Sequence, residues 1–143
     1  MTHLNHIGIA VREPEALAGV LALLGFSNTH NEEVPDQGVR THFFPVTNPG
    51  VGASQATQIE LLEVLDPQGT VARFIEKRGP GVHHLSFEVN PGQLDPLCAK
   101  IQRAGLQLIY PAPRAGAHGM RVNFIHPKSA GGILLEIMEK SAP

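Results

Sequence analysis

Two histidines and two glutamates have the clearest chemical potential in this sequence. His6 opens the segment His6-Ile7-Gly8-Ile9-Ala10-Val11, and His84 opens His84-Leu85-Ser86-Phe87-Glu88-Val89. Glu60 lies within Gln58-Ile59-Glu60-Leu61-Leu62, and Glu136 within Leu134-Leu135-Glu136-Ile137-Met138. An ionised carboxylate in such apolar surroundings is costly unless it is paired or bound to a cation. Two imidazoles and two carboxylates without thiolates suit one divalent ion, of the Co, Mn, Ni, Fe or Zn type. A lone histidine on a strand more often serves structure than a metal, so the four must be weighed together. Their placement is matched: His6 and His84 lie 78 positions apart, and Glu60 and Glu136 lie 76 apart.

That match extends to the elements that would position them. His6 to Val11 is short, apolar and β-branched, which predicts a buried strand, and His84 to Val89 predicts another. Leu17, Val20, Leu21 and Leu24 form one helical face, closed by Gly25; Leu94, Leu97, Cys98 and Ile101 repeat it, closed by Gly105. Further extended segments are expected at Ser27 to Val34, Val39 to Val46 and Gln58 to Leu65. In the second half they are expected at Gln107 to Tyr110, Arg121 to His126 and Leu134 to Glu139. Thr47 to Ala56, rich in Gly, Pro, Asn and Ser, reads as a loop, and Thr70 to Arg78 as a short helix. The fold class is therefore α+β: tandem βαβββ repeats forming a curved, partly open β-barrel with helices outside. Residues 1–143 make one domain, with halves at about 1–68 and 82–143 and a linker over 69–81. Glu63 and Glu139 are also matched, but strand alternation sets them opposite Glu60 and Glu136, where exposure is expected. His83 and His84 point to opposite sides, and the repeat register selects His84.

Composition narrows the function classes. With 11 Lys plus Arg against 13 Asp plus Glu, the net charge of −2 argues against nucleic-acid binding and against a polybasic membrane contact. The single cysteine, Cys98, excludes an intrachain disulfide and a thiolate metal cage. Its place on the apolar helix face predicts a core residue. The longest apolar run, Ala16 to Phe26, is too short to cross a bilayer. Met1 leads within a few residues into a strand, so a cytoplasmic location is expected.

Several longer stretches are more specific. They are Arg78-Gly79-Pro80-Gly81-Val82-His83-His84, Gly116-Ala117-His118-Gly119, and Phe124-Ile125-His126-Pro127-Lys128-Ser129 with Gly131-Gly132 beyond. Val34-Pro35-Asp36-Gln37-Gly38-Val39 adds to them. With these stretches the chain resembles the vicinal oxygen chelate (glyoxalase/bleomycin resistance/dioxygenase) superfamily, and within it the methylmalonyl-CoA epimerases, over nearly its whole length. The resemblance implies one divalent metal ion held at His6, Glu60, His84 and Glu136. It also implies interconversion of (R)- and (S)-methylmalonyl-CoA through a metal-stabilised enolate. The substrate partner is then an acyl-CoA; nucleic acid and membrane are not expected, and a homodimer is compatible. Some members carry Gln where Glu60 stands.

Epimerisation takes a proton from one face of C2 and returns one to the other. Glu136 or Glu60 would serve one face. Some members place a second acid on the strand after Gln37-Gly38-Val39, where this chain reads Arg40-Thr41-His42-Phe43. Thr41 would then hold a water on that face, with His42 the rival if the strand is shifted by one residue. Lys128 and Ser129 open a Gly-rich turn that suits the substrate carboxylate or CoA, against the alternative of a solvated loop. His118 and Gly119 would line the pocket, and Arg114 and Arg121 could meet phosphate. Two other functions share the pattern: a glyoxalase I acting on a hemithioacetal, and a non-catalytic small-molecule binder of the same fold.

Overall fold

The computed structural model describes residues 1–46 and 56–142; the loop expected at Thr47 to Ala56 therefore lies almost wholly outside the described residues. Chain contacts divide the protein into two units. The first comprises His6–His83; the second joins Met1–Asn5 to the chain from His84 onward.

The first unit runs β1 (Thr2–Val11, shared with the second unit), α1 (Glu15–Leu23), β2 (His30–Val34), β3 (Val39–Val46), β4 (Thr57–Val64) and α2 (Thr70–Arg78). Strand β1 pairs in parallel with β4, β4 antiparallel with β3, and β3 antiparallel with β2. The second unit repeats the order with β5 (Gly81–Val89), α3 (Leu94–Arg103), β6 (Arg114–Ala115), β7 (Met120–Ile125) and β8 (Leu134–Lys140). There β5 pairs in parallel with β8, β8 antiparallel with β7, and β7 antiparallel with β6. Each unit is thus a βαβββ module whose first and last strands are parallel neighbours, the arrangement expected from the sequence repeat.

Strand alternation explains the packing in the first unit. Val11, Leu61 and Phe44 project to one side and are covered by Leu21 of α1. Ala10, Leu62 and Val39 project to the other and are covered by Val71 and Ile75 of α2. Burying each such side chain stabilises the fold by about 2 kcal/mol. The segment 69–81 is accordingly more than a connector, because its helix closes one face of the first sheet. Helix α1 meets the sheet through a narrower stripe than its periodicity suggests. Leu21 is buried, whereas Val20 is 52% and Leu24 66% exposed. In α3 the expected face is realised, with Leu94, Cys98 and Ile101 buried against Val89 and Ile137.

Two local features set the strand registers. Gly38 lies at φ +65°, and a Cβ there would come within 2.7 Å of the Asp66 Cβ. Its carbonyl accepts from the backbone N–H groups of Leu65 and Asp66 at 2.8 and 3.0 Å, tying the start of β3 to the end of β4. In the second unit, Gln107 to Tyr110 makes a single bridge, Leu108 to Ile125, instead of a strand. The strand that pairs antiparallel with β7 on the edge away from β8 is Arg114–Ala115. The described residues contain no helix long and apolar enough to cross a membrane.

Glu139 departs from the expected exposure. It does lie opposite Glu136 on β8, yet it is 2% exposed. One of its oxygens accepts from the Leu94 N–H at 2.9 Å, capping α3, and the other accepts from Arg121 Nη1 at 2.7 Å. A sheet face covered by a helix leaves this carboxylate no water, so the helix terminus and the guanidinium replace it. Glu63, its repeat counterpart, stays partly open, with His42 Nε2 at 2.7 Å and Arg40 Nη1 at 3.5 Å. Glu139→Ala is expected to lower the unfolding free energy by about 3 kcal/mol, because a buried donor and a charge lose their partner. Glu63→Ala, with its partners near solvent, should cost less than half as much. Urea unfolding of the two variants checks the order.

Candidate active site

In the first unit the parallel ladder sets His6 opposite Gln58 and Gly8 opposite Glu60. Ladder partners share a face, so His6, Gln58 and Glu60 project from the same side of the sheet. His6 is buried, with Nε2 3.6 Å from Glu60 Oε2. Burial lowers the pKa of His6 to about 4, so the imidazole is neutral at neutral pH, the form that binds a cation. Gln58 Oε1 is buried and has no hydrogen-bond partner among the described residues. An orphaned acceptor costs roughly 1–3 kcal/mol, and a cation or a donor from a ligand would relieve it. Gln58 drew no attention in the sequence, although its two-residue spacing from Glu60 puts both on one face.

The second unit repeats this plan. Strand β5 sets His84 opposite Leu134 and Ser86 opposite Glu136. His84 is buried, and Ser86 Oγ donates to Glu136 Oε1 at 2.6 Å. Burial raises the pKa of Glu136, and the Ser86 hydrogen bond only partly opposes it. A carboxyl in this setting holds a proton more readily or else calls for a cation. Ser86 was a missed residue too; its signal is the two-residue spacing from His84. Gly8 stands where Ser86 stands in the repeat, so β1 offers Glu60 no such hydroxyl. Each unit thus supplies a buried imidazole and a carboxylate from one sheet face, a donor set that fits a divalent metal.

On β3, Phe43 pairs with Glu60 and Thr41 with Leu62. Val39, Thr41 and Phe43 therefore share the side of Glu60, and Thr41 is 4% exposed. His42 projects from the other side, toward Glu63. The tie at Gly38 holds this register.

The remaining candidates lie on turns of the second unit. Lys128 is exposed; its N–H donates to His126 Nδ1 at 3.1 Å. Ser129 Oγ accepts from the Gln107 N–H at 2.9 Å and so anchors the neighbouring segment. Both precede Gly131 and Gly132, which lie at φ +64° and +90°. His118, at φ +56°, is the one non-glycine residue with positive φ among the described residues, and Gly119 follows at +70°. Backbone strain of this kind clusters at functional sites. Arg121 is engaged by Asp95 and Glu139, while Arg114 stacks 4.0 Å over the Tyr110 ring.

Comparison with known proteins agrees with this geometry. Residues 5–124 match the model of the glyoxalase/bleomycin resistance protein/dioxygenase superfamily. The ethylmalonyl-CoA/methylmalonyl-CoA epimerase of Cereibacter sphaeroides is 36% identical over 94% of this chain and 95% of its own. The crystal structure of methylmalonyl-CoA epimerase from Mycobacterium tuberculosis matches with a TM-score of 0.80 at 38% identity, covering 99% of this chain and 89% of that one. Streptomyces coelicolor methylmalonyl-CoA epimerase in complex with 2-nitronate-propionyl-CoA matches with a TM-score of 0.83 at 32% identity, covering 99% of both chains. The relatives carrying these names are enzymes.

The low proton affinity of His6 has a thermodynamic consequence. Its folded pKa of about 4 lies below the ordinary imidazole value of 6.5, so below pH 6.5 the unfolded chain binds the proton first. The contribution is fully present above 6.5 and is lost as pH falls through 4. For chelator-treated protein this amounts to about 3 kcal/mol across that window. His6→Asn should flatten the fall by that amount, as read from unfolding midpoints at a series of pH values.

Proposed function

The chain belongs to the glyoxalase/bleomycin resistance protein/dioxygenase superfamily, and we propose that it interconverts the C2 epimers of methylmalonyl-CoA. The observation that carries this reading is the repeated ladder: Gly8 opposite Glu60 and Ser86 opposite Glu136, each with a buried histidine two residues earlier. Likeness over nearly full length to epimerases of methylmalonyl-CoA supports the substrate class.

In this reading His6, Glu60, His84 and Glu136 hold one divalent ion. Once bound, the ion supplies Lewis acidity at the thioester oxygen, where negative charge develops as the C2 proton leaves. His6 contributes a neutral imidazole because burial keeps protons off it. Ser86 orients Glu136 through its hydrogen bond to Oε1, and Glu136 takes the proton from one face of C2. Glu60 is the other candidate for that role. Thr41, buried on the side of Glu60, holds the water that meets the opposite face. No redox cofactor or nucleophile is needed. Lys128 and Ser129, with His118 and Gly119, are assigned to the CoA side of the pocket. Residues 1–143 act as one domain of two repeat halves, and the cytoplasm is the location this reading favours.

Metal-loaded protein incubated with a single epimer in deuterated water should exchange the C2 proton and accumulate the other epimer, followed by NMR. Absence of exchange in protein carrying stoichiometric metal would overturn the reading. Glu136→Ala should lower turnover by about 10²-fold or more and weaken metal binding while the fold persists. Retention of one metal per chain in that variant would remove Glu136 from the ligands. The hemithioacetal of methylglyoxal and glutathione should be a poor substrate; efficient turnover of it, with the malonyl thioester untouched, would make the protein a glyoxalase.

A further inference from the structure

The reaction needs an acid/base group on each face of C2, yet β3 carries no carboxylate on the side of Glu60. A threonine hydroxyl can orient a water but does not take up a proton near neutral pH. The strand next to β3 offers a carboxylate. Strand β2 pairs with β3 so that Glu32 is opposite Thr41 and His30 opposite Phe43. Ladder partners share a face, so Glu32 and His30 lie on the side of Thr41, Phe43 and Glu60. Two packing observations agree. Val34, two residues beyond Glu32, packs with Ala10, Val39 and Leu62 on that face. His30 stacks on Phe43, with ring centroids 4.3 Å apart and planes within 6°. Glu33 points the other way and pairs with Arg40 at 2.9 Å.

We propose that Glu32 is the proton donor and acceptor for the second face of C2, acting through a water held on Thr41. The proposal rests on the epimerase reading above. Adjacent strands are about 4.8 Å apart and residues two positions along a strand about 6.7 Å apart, so the Glu32 and Glu60 backbones are separated by about 12 Å. That span leaves room between the two side chains for a reacting carbon and one water. The Glu32 side chain is 33% exposed, and His30 Nε2 lies 3.7 Å from its Oε1. His30 is itself 54% exposed and so connects the carboxylate to solvent. When the base on the first face takes the C2 proton, the Thr41 water delivers its own proton to the opposite face. Protonated Glu32 then restores that water. One proton leaves carbon, one arrives, and the two carboxyl groups end in exchanged protonation states. Exchange with solvent, through His30 at Glu32, resets them. The reverse reaction runs the same sequence backwards.

The test follows each pure epimer separately in deuterated water with metal-loaded wild type, Glu32→Gln, Glu32→Asp and Glu33→Gln. Glu32→Gln should slow interconversion by about 10²-fold or more. It should still label one epimer at C2 with retention, because the base of the first face is intact, and should leave the other epimer unlabelled. Glu32→Asp should restore part of the interconversion, and Glu33→Gln should stay within about twofold of wild type. Metal content and thermal midpoint should match wild type in all variants. A merely structural role would slow labelling of both epimers alike, and that result overturns the proposal. So does interconversion by Glu32→Gln within threefold of wild type. Wild-type protein that labels neither epimer refutes the epimerase reading itself and takes this proposal with it, an outcome distinct from the other two.

Discussion

The constraint on which the structure depends is the cost of keeping carboxylates in the middle of apolar strands. Glu60 and Glu136 each sit one ladder step from a buried histidine row, with aliphatic neighbours on either side in the chain. Water would solvate them cheaply in a loop. On a strand each needs a partner held at fixed register, and the parallel pairing of first and last strands supplies that register in both units. The rest of each module follows from holding this pair of strands together. The crossover helix covers one sheet face, and the third and second strands extend the ladder from the carboxylate-bearing strand.

The two units solve the same problem with different chemistry. In the second, Ser86 donates to Glu136, and on the far face Glu139 is neutralised by Arg121 and by the first turn of α3. In the first, Gly8 offers no hydroxyl to Glu60, and Glu63 is answered by His42 and Arg40 near solvent. The repeat therefore preserves geometry while the side chains diverge. That divergence suits the proposed reaction, whose two faces are served by unlike groups. It also separates roles along one strand. On β3, Thr41 and Phe43 belong to the side of Glu60, while Arg40 and His42 belong to an ion-pair network on the reverse side.

Burial also sets the protonation states that the proposed chemistry needs. Desolvation keeps His6 neutral and raises the proton affinity of Glu136. The two shifts run in opposite chemical directions from one physical cause, since a low-dielectric surrounding disfavours whichever form is charged. Gln58, opposite His6 on the same face, keeps a buried Oε1 with no hydrogen-bond partner among the described residues.

By itself the sequence determined the repeat, and with it much of the candidate site. The matched spacing of His6 with His84 and of Glu60 with Glu136 needs no coordinates, because a strand-helix-strand module repeated in one chain carries its functional positions with it. Alternation with period two was also enough to set Glu139 opposite Glu136 and to split Thr41 from His42. Other features arise from contacts between distant segments, to which local periodicity is blind. The burial of Glu139 depends on α3 arriving over β8, so a residue expected in water became a helix cap. The exposure of Val20 and Leu24 depends on how narrow a stripe of α1 the sheet can cover. Leu108 makes only one bridge because the Asn123 side chain, and not the β7 backbone, takes the N–H and C=O of Tyr110. Glu32 acquired meaning only through register. Nothing within His30 to Val34 marks it, and cross-strand pairing alone makes it the neighbour of Thr41.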